Sequence, residues 1–164
     1  MAKRVFFYFL LSLLVIVVDS TLVKFMAIAN VVPDILIIWV AYIAIREGQI
    51  AGVTAGFFLG LTIDLLGKPD GMVGLDALSK TFAGFAAGYF YNENKIENNL
   101  GGYQFVIITG VASLVHNSIY FAIFLQGSGL NLGQMFLYHG LPATAYTVAV
   151  AFLPMFMFAR KYMN

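Results

Sequence analysis

The segment GQIAGVTAGFFLGLTID, residues 48–64, repeats a glycine at every fourth position and then places an aspartate in the same register. The glycines are Gly48, Gly52, Gly56 and Gly60, and the aspartate is Asp64. A glycine inside a helix costs about 1 kcal/mol relative to alanine, so a row of glycines needs a compensating gain. In a membrane that gain is the close approach of a second helix, whose backbone packs on the small face. We assign Gly48 to the turn before the helix and predict that the other three glycines form such a face.

The composition of the whole chain is typical of an integral membrane protein. Of its 164 residues, 61% are hydrophobic and 10% are charged, whereas soluble domains carry about 25% charged residues. The mean hydropathy of +0.88 agrees with this class, for which the lipid bilayer is the surrounding partner. A net charge of +1 gives no indication of a nucleic-acid partner. The absence of cysteine excludes disulfides, thiol catalysis and thiolate metal sites.

Apolar runs predict an all-α six-helix transmembrane bundle that forms a single domain over residues 1–164. The spans cover approximately residues 5–23, 31–45, 50–66, 75–91, 103–125 and 132–158. The second span is shorter than the roughly 17 residues that a crossing helix needs. The sixth contains Pro142. Because proline is favoured at the first helical position, residues 132–140 are predicted to form a separate interfacial turn before the true span.

The charges in the connections predict the orientation of the chain. With a cytoplasmic amino terminus, six basic residues lie on the cytoplasmic side and three on the other. The six are Lys3, Arg4, Arg46, Lys95, Arg160 and Lys161, and the three are Lys24, Lys68 and Lys80. Because basic residues concentrate on the cytoplasmic side of a membrane, both termini are expected in the cytoplasm.

The fourth span repeats the small-residue spacing with Gly84 and Gly88. The two small faces can pack on each other, or either can receive a partner helix, and the glycines do not decide between these interpretations. Asp64 is expected to have a partner, because an aspartate at mid-bilayer costs roughly 2.5–3.5 kcal/mol. One hypothesis pairs Asp64 with Lys80, which precedes Gly84 by the same step of four. The alternative pairs Lys80 with Asp76 inside one helix, and a cluster of all three also agrees with the spacing.

A second set of polar or aromatic residues inside the spans is interpreted as a cavity wall. These residues are Trp39, His116, Asn117 and His139. Two histidines without a third ligand do not make a transition-metal site, so no metal is predicted. The sequence contains no nucleophile elbow, no HExxH motif and no phosphate loop. No catalytic residue and no cofactor are therefore predicted.

A series of short motifs between residues 32 and 88 resembles one known family. The motifs are Val32-Pro33-Asp34, Arg46-Glu47-Gly48, Ala55-Gly56-Phe57-Phe58-Leu59-Gly60-Leu61 with Asp64-Leu65, Gly74-Leu75 and Ala77-Leu78. They are similar to the rod shape-determining protein MreD family, whose members are of similar length and carry a Gly-Phe-x-x-Gly-Leu-x-x-Asp core. The resemblance marks Pro33, Asp34 and Leu61 as motif residues. The first span and the last third of the chain match only in length and hydrophobicity.

The resemblance implies a non-enzymatic subunit of the bacterial cell-elongation machinery, which makes peptidoglycan and sets rod shape, in the cytoplasmic (inner) membrane. Members of the family bind MreC, a membrane-anchored periplasmic protein. Through MreC they connect with actin-like MreB filaments, the RodA glycosyltransferase and a class B penicillin-binding protein. The fold is also similar to the substrate-binding components of energy-coupling vitamin transporters, which have six helices around a pocket.

Two alternatives come from other functional classes. The first is a vitamin-binding component of an energy-coupling transporter, which would have six spans, a similar length and a pocket near the outer face. The cavity-wall residues named above could line that pocket. The second is an intramembrane enzyme, for which the sequence offers no catalytic constellation.

Overall fold

Helices form the regular structure of the chain. The computed structural model describes residues 2–21, 23–28, 31–67 and 72–162, and no β-strand occurs in these ranges. The α-helices there are α1 Ala2–Thr21, α2 Ile35–Glu47, α3 Gln49–Gly67, α4 Leu75–Gly88, α5 Ile96–Gly101, α6 Tyr103–Phe124, α7 Leu132–Met135 and α8 Leu141–Tyr162. Shorter 3-10 helices cover Val23–Met26 and Glu93–Lys95, and a π-helical segment covers Phe136–Gly140. The prediction of an all-α chain is confirmed for these ranges.

Within the described ranges, four helical segments are long and apolar enough to cross a membrane, and they indicate a membrane protein. They are Lys3–Thr21, Gln49–Leu66, Tyr103–Phe124 and Leu132–Arg160. Helices α2 and α4 have 13 and 14 residues. Each is therefore about 20 Å long, against a hydrocarbon core of about 30 Å. The predicted second and fourth spans thus form helices shorter than a full crossing.

Helices α2, α3 and α4 follow one another in alternating directions. Between α2 and α3 the chain reverses at Gly48, whose φ of 96° lies in the left-handed region that favours glycine. The Gly48 N–H donates a hydrogen bond to the carbonyl oxygen of Ala44 at 3.1 Å and closes α2. Because one antiparallel helix separates them, α2 and α4 run in the same direction and begin at the same end of the molecule.

The small faces of α3 and α4 pack directly on each other. A Cβ atom built on Gly56 would overlap the carbonyl group of Lys80, and one built on Gly60 would overlap that of Asp76. The two backbones are therefore in contact with no side chain between them, which is the packing that small residues permit. The two helices are antiparallel, so residues nearer the end of α3 contact residues nearer the start of α4.

The same contact continues to the other end of the two helices. Gly52 and Gly84 face each other, and a Cβ atom on either would come too close to the backbone of the other. A Cβ atom on Gly88 would overlap the Cα atom of Gln49. All five glycines of the two predicted small faces thus lie in the α3–α4 contact, inside the chain.

Helix α2 lies at the centre of the molecule, and α1 lies at its edge. Eight of the 13 residues of α2 are buried. Five of them pack against α4, α5, α6 and α8 in one apolar cluster, and two pack against α1 and α3 in another. By contrast, only 6% of the apolar segment of α1 is buried. The first helix is therefore held by one face alone.

The molecule has two distinct ends. Arg4 near the amino terminus lies 3.4 Å from Glu47 at the carboxyl end of α2, and Phe158 of α8 stacks on Tyr42 with ring centroids 5.1 Å apart. We call this the termini end. The opposite end, where α2 and α4 begin, is called the cavity end. Of the basic residues that the sequence assigned to this side, Lys80 is buried and Lys68 lies outside the described ranges.

Residues 132–140 are helical and continue without a break into α8, so the separate interfacial turn predicted from Pro142 is not formed. Asn131 caps α7 in a capping box with Gln134, and the π-helical segment then leads into α8. Helix α8 begins at Leu141, which makes Pro142 its second residue. Proline has no N–H to donate to the preceding turn, and the π-helical segment lies directly before it.

We expect Gly56→Ala to destabilise the protein by about 1–3 kcal/mol, because the added methyl group overlaps backbone atoms that cannot yield locally. Gly110→Ala is the matched control, since a Cβ atom there meets only the Val148 side chain, at 3.2 Å. Alanine is the better helix former, so the control should be neutral or stabilising. Thermal unfolding midpoints in one detergent compare the two variants. Equal midpoints would contradict close backbone contact at Gly56.

Candidate functional site

A buried lysine joins the amino-terminal ends of α2 and α4. Lys80 Nζ lies 2.6 Å from Asp76 Oδ1, one turn earlier in α4, and 3.0 Å from Asp34 Oδ2, at the start of α2. The lysine side chain is 3% exposed. Removing one member of such a buried group leaves an uncompensated charge, so the contact fixes how α2 and α4 lie beside each other.

Both carboxylates lie where a helix favours negative charge. Asp34 is the N-cap of α2: its Oδ1 accepts a hydrogen bond from the Ile37 N–H at 3.0 Å, and its own N–H donates to Thr147 Oγ1 at 3.0 Å. Asp76 lies in the first turn of α4. The unpaired N–H groups of a helix start carry partial positive charge, which stabilises both acids.

His116 of α6 completes what we call the charged cluster, which consists of Asp34, Asp76, Lys80 and His116. The His116 Nε2 atom lies 3.5 Å from Asp34 Oδ2 and 4.0 Å from Asp76 Oδ1. The imidazole stacks on Tyr120 with ring centroids 5.6 Å apart. His116 is 4% exposed, and among the described residues its Nδ1 has no hydrogen-bond partner. Because buried polar atoms are normally paired, this nitrogen marks the cluster for functional analysis.

Asn117 belongs to a polar seam between α6 and the start of α8. Its Nδ2 donates to Thr144 Oγ1 at 2.9 Å and to Ser113 Oγ at 3.2 Å. The Thr144 hydroxyl donates in turn to the carbonyl oxygen of Gly140 at 2.8 Å. These bonds hold α6 against α8 one residue beyond His116, and so they fix the position of the histidine.

Asp64 does not pair with Lys80. Its carboxylate accepts hydrogen bonds from the backbone N–H groups of Gly74 at 2.9 Å, Asp76 at 3.2 Å and Ala77 at 3.0 Å. These groups open α4, where no earlier turn can accept from them. The Asp64–Lys80 pair considered from the sequence is therefore not formed. The alternative pair within α4, Asp76 with Lys80, is present.

The register of the glycine row explains the position of Asp64. Gly60 lies against Asp76 in the first turn of α4. Asp64 is one turn further along α3, so its carboxylate reaches the unpaired N–H groups at the start of α4. The carbonyl of Lys80 faces Gly56, whereas its ammonium group reaches Asp34 of α2. The two charges thus lie on different sides of α4.

A cavity of about 370 Å³ lies beside the charged cluster at the cavity end. The charged cluster lines it together with Asp19 of α1, Asn117 and Tyr120 of α6 and His139 of the π-helical segment. The His139 ring lies against Phe121, with ring centroids 5.6 Å apart. At this end of the molecule the longer helices α1 and α6 extend beyond the first residues of α2 and α4. The cavity is the space that this difference leaves.

Three of the four residues predicted as a cavity wall line this cavity, namely His116, Asn117 and His139. Trp39 does not. Its Nε1 donates to Ser12 Oγ at 2.9 Å, and its ring stacks on Tyr42 at 5.1 Å, because this position of α2 faces α1 and the termini end. Of the family-motif residues, Pro33 and Asp34 line the cavity, whereas Leu61 is half-buried on α3 away from it.

The cavity carries an excess of acidic groups. Asp19 lies within electrostatic range of Asp34, Asp76 and Lys80. Three acidic side chains and one lysine therefore line the cavity together. Across the described ranges, no cluster of three or more histidine, aspartate or glutamate side chains is arranged to hold a metal ion.

Sequence reasoning marked Asp34 only as a family-motif residue and missed its contact with Lys80. A signal was available: α2 and α4 each begin beside an acid, and two helices separated by one antiparallel helix must begin at the same end. Asp19 was placed only at the end of the first span. Nothing in the sequence distinguishes Thr144 and Thr147 from other hydroxyl residues of an apolar helix.

We expect Lys80→Met to destabilise the protein by about 3–5 kcal/mol, because it leaves the carboxylates of Asp34 and Asp76 without a counter-charge. Asp76→Asn should cost less, since one acid then faces one base, and the double variant should recover part of the loss. Lys95→Met, at an exposed position, should have little effect. Thermal unfolding in detergent measures all four. A double variant no more stable than Lys80→Met would disprove the charge balance.

We expect Asp64→Ala to loosen the start of α4 at a cost of about 0.5–2 kcal/mol, the usual range for loss of an N-terminal cap. Asp64→Asn keeps one acceptor oxygen and should be intermediate. Thr62→Ala is the control, because the Thr62 hydroxyl bonds only within its own helix, to the Phe58 carbonyl. Amide hydrogen exchange over residues 74–77 is the readout. Unchanged exchange in Asp64→Ala would show that other groups satisfy these N–H groups.

The comparisons with known proteins give no relative for this arrangement. The chain matches no protein-family model, no curated protein and no solved structure.

Proposed function

We propose that this chain is a non-enzymatic membrane subunit of the bacterial cell-elongation machinery, similar to MreD, and that it binds and positions MreC. The resemblance of residues 32–88 to that family supports the proposal. These motifs fall on the single unit α2–α3–α4, and two of their acids, Asp34 and Asp64, stabilise the starts of α2 and α4. Residues with such structural roles suit a scaffold. Through MreC the chain would connect with MreB, RodA and a class B penicillin-binding protein.

An open groove between α1 and α3 is the observation that carries the binding proposal. It encloses about 730 Å³ toward the termini end. The lining from α1 consists of Arg4, Val5, Tyr8, Phe9 and Ser12, and that from α3 consists of Ala51, Thr54, Ala55 and Phe58. Residues 5, 8, 9 and 12 and residues 51, 54, 55 and 58 both follow the spacing of one helix face. Two stripes thus face each other across unfilled space.

The chemistry of the groove favours an apolar helix as its occupant. Small residues on the α3 stripe allow a backbone to approach closely. At the termini end the groove becomes polar, where Arg4 lies 3.4 Å from Glu47 and the Tyr8 hydroxyl donates to Glu47 at 2.7 Å. A transmembrane helix of MreC has the matching pattern, an apolar body that satisfies its own backbone and a polar flank at the membrane surface.

The proposal includes six membrane crossings with both termini in the cytoplasm. The resulting six-helix fold would be similar to that of the substrate-binding components of energy-coupling vitamin transporters. In this arrangement α2 and α4 would be the two short crossings beside the four longer segments. Arg4 and Arg46 lie together at the termini end, which agrees with the preference of basic residues for the cytoplasmic side. The bacterial inner membrane follows from the same family resemblance.

The cavity at the other end favours a second candidate function, a vitamin-binding component of an energy-coupling transporter. Its volume of about 370 Å³ falls within the range of roughly 300–1,000 Å³ that is usual for ligand pockets. A vitamin that stays bound through purification, or that raises the unfolding midpoint, would support this candidate over the scaffold.

We expect the tagged chain to retain co-expressed MreC through purification in mild detergent. Ala55→Trp fills the groove and should lower the recovery of MreC about tenfold, which corresponds to 1.4 kcal/mol of lost binding energy. Ala145→Trp is the matched control, because Ala145 is an exposed alanine on α8. No recovery with the unaltered chain in several detergents would reject MreC binding. Equal recovery with Ala55→Trp would reject the groove as its site.

A further inference from the structure

We propose that Tyr8 and Ser12 of α1 are positioning residues for the groove between α1 and α3. Their hydrogen bonds to α2 hold α1 away from α3 and keep the groove open before a partner arrives. This inference rests on the proposed function in one respect, because the groove is the site that we assign to MreC. The position of α1 can be measured without any partner.

One face of α1 is attached to the central helix α2. The Tyr8 hydroxyl donates a hydrogen bond to Glu47 Oε1 at 2.7 Å, and Ser12 Oγ accepts one from Trp39 Nε1 at 2.9 Å. Because Tyr8 and Ser12 are four residues apart, both bonds come from the same face of the helix. Hydrogen bonds between helices are one of the interactions that fix helix positions in a membrane.

An aromatic series aligns this face of α1 on the centre of the molecule. The Trp39 ring lies against Tyr8 with ring centroids 6.1 Å apart, and it stacks on Tyr42 at 5.1 Å. Tyr42 stacks in turn on Phe158 of α8 at 5.1 Å. Aromatic pairs of this kind contribute beyond the area that they bury. The series therefore connects α1 through α2 to α8, and it does not include α3.

The groove is closed at one end and open at the other. Ile16 of α1 and Leu59 of α3 belong to one apolar cluster, which joins the two helices there. Toward the termini end, Val5, Phe9 and Phe58 line the groove and are 67%, 60% and 64% exposed. Large apolar side chains are thus uncovered on both walls. The first half of α1 is therefore separated from α3, although its second half packs against that helix.

An open groove needs an interaction that prevents α1 from closing onto α3. Lipid chains are as apolar as the helices, so packing and hydrogen bonds decide which helices associate. Packing favours closure, because a gap between two walls loses dispersion contacts. Closure would move the first half of α1 away from α2, separate Tyr8 from Glu47 and leave the Trp39 N–H without its acceptor. The two hydrogen bonds therefore oppose closure.

A groove that is held open in this way is preorganised for a helical partner. The partner does not have to displace α1, so less of its binding energy is lost on rearrangement. The walls cover residues 4–12 of α1 and 51–58 of α3, a length of about 12 Å along a helix. The hydrocarbon core is about 30 Å thick. The groove therefore receives the part of a spanning helix that lies nearest the termini end.

The distance between α1 and α3 tests the proposal in nanodiscs without a partner. The chain contains no cysteine, so nitroxide labels attach only at the introduced positions Phe6→Cys and Ile50→Cys. Both residues are exposed, and the groove lining includes neither. Replacing Tyr8→Phe together with Ser12→Ala removes both α1 hydroxyl groups and keeps the tyrosine ring. This double variant should shift the distance between the labels to shorter values.

The matched control removes the same two hydroxyl groups elsewhere. Tyr138→Phe with Ser118→Ala changes two exposed positions, and the Ser118 hydroxyl bonds within its own helix, to the Leu114 carbonyl. This control should leave the distance unchanged. An unchanged distance in the variant at positions 8 and 12 would overturn the proposal. A longer distance would also overturn it, because the bonds would then only attach α1 to α2. If the double variant does not fold, Ser12→Ala alone should give the same shift and decides.

The recovery of co-expressed MreC distinguishes this inference from the proposed function. The double variant at Tyr8 and Ser12 should lower the recovery about fivefold, the size expected for the loss of two hydrogen bonds between helices. The control variant should not change it. A shortened distance with no MreC recovered by the unaltered chain would reject the scaffold and support the positioning role. Reduced recovery at an unchanged distance would mean that the hydroxyl groups contact MreC directly, and would overturn that role.

Discussion

The backbone contact between α3 and α4 is the constraint on which the rest of the structure depends. With no side chain between them, the two helices cannot slide without driving a carbonyl group into a Cα atom, so their register is fixed by Gly56 and Gly60. That register brings Asp64 to the unpaired N–H groups at the start of α4. It also turns the Lys80 side chain away from α3 and toward α2. One steric condition therefore decides where both Asp64 and Lys80 lie.

Because α2 and α4 are short, a cavity lies beside their amino-terminal ends. Both helices begin inside the molecule, side by side and in the same direction, so their partly positive ends converge. The negative charges of Asp34 and Asp76 offset this partial positive charge, and Lys80 lies between the two acids and reduces their mutual repulsion. The longer helices α1 and α6 continue past this level and supply walls around it, which leaves the cavity. The charged cluster and the cavity are thus two consequences of the same early helix starts.

The sequence was most informative where the cause of a structure is local. The glycine spacing indicated the packing face of α3 and α4, and the spacing of four residues indicated the pair of Asp76 and Lys80. It was least informative where the partner comes from a distant helix. The spacing offered Asp64 only Lys80, alone or in a cluster with Asp76, because a residue pattern does not show which backbone N–H groups need an acceptor. Trp39 was assigned to the cavity although its face of α2 is decided by where α1 packs.

The groove and the cavity are lined by some of the same helices, and this determines how they can influence each other. Helix α1 lines the groove through Val5 and Tyr8 and reaches the cavity through Asp19. It is also the long helix with the smallest buried share, so its displacement breaks few contacts. Helix α3 borders both sites as well, but its backbone contact with α4 makes movement costly. An occupant of the groove and an occupant of the cavity would therefore both contact α1, and any coupling between the two sites would pass through the position of that helix.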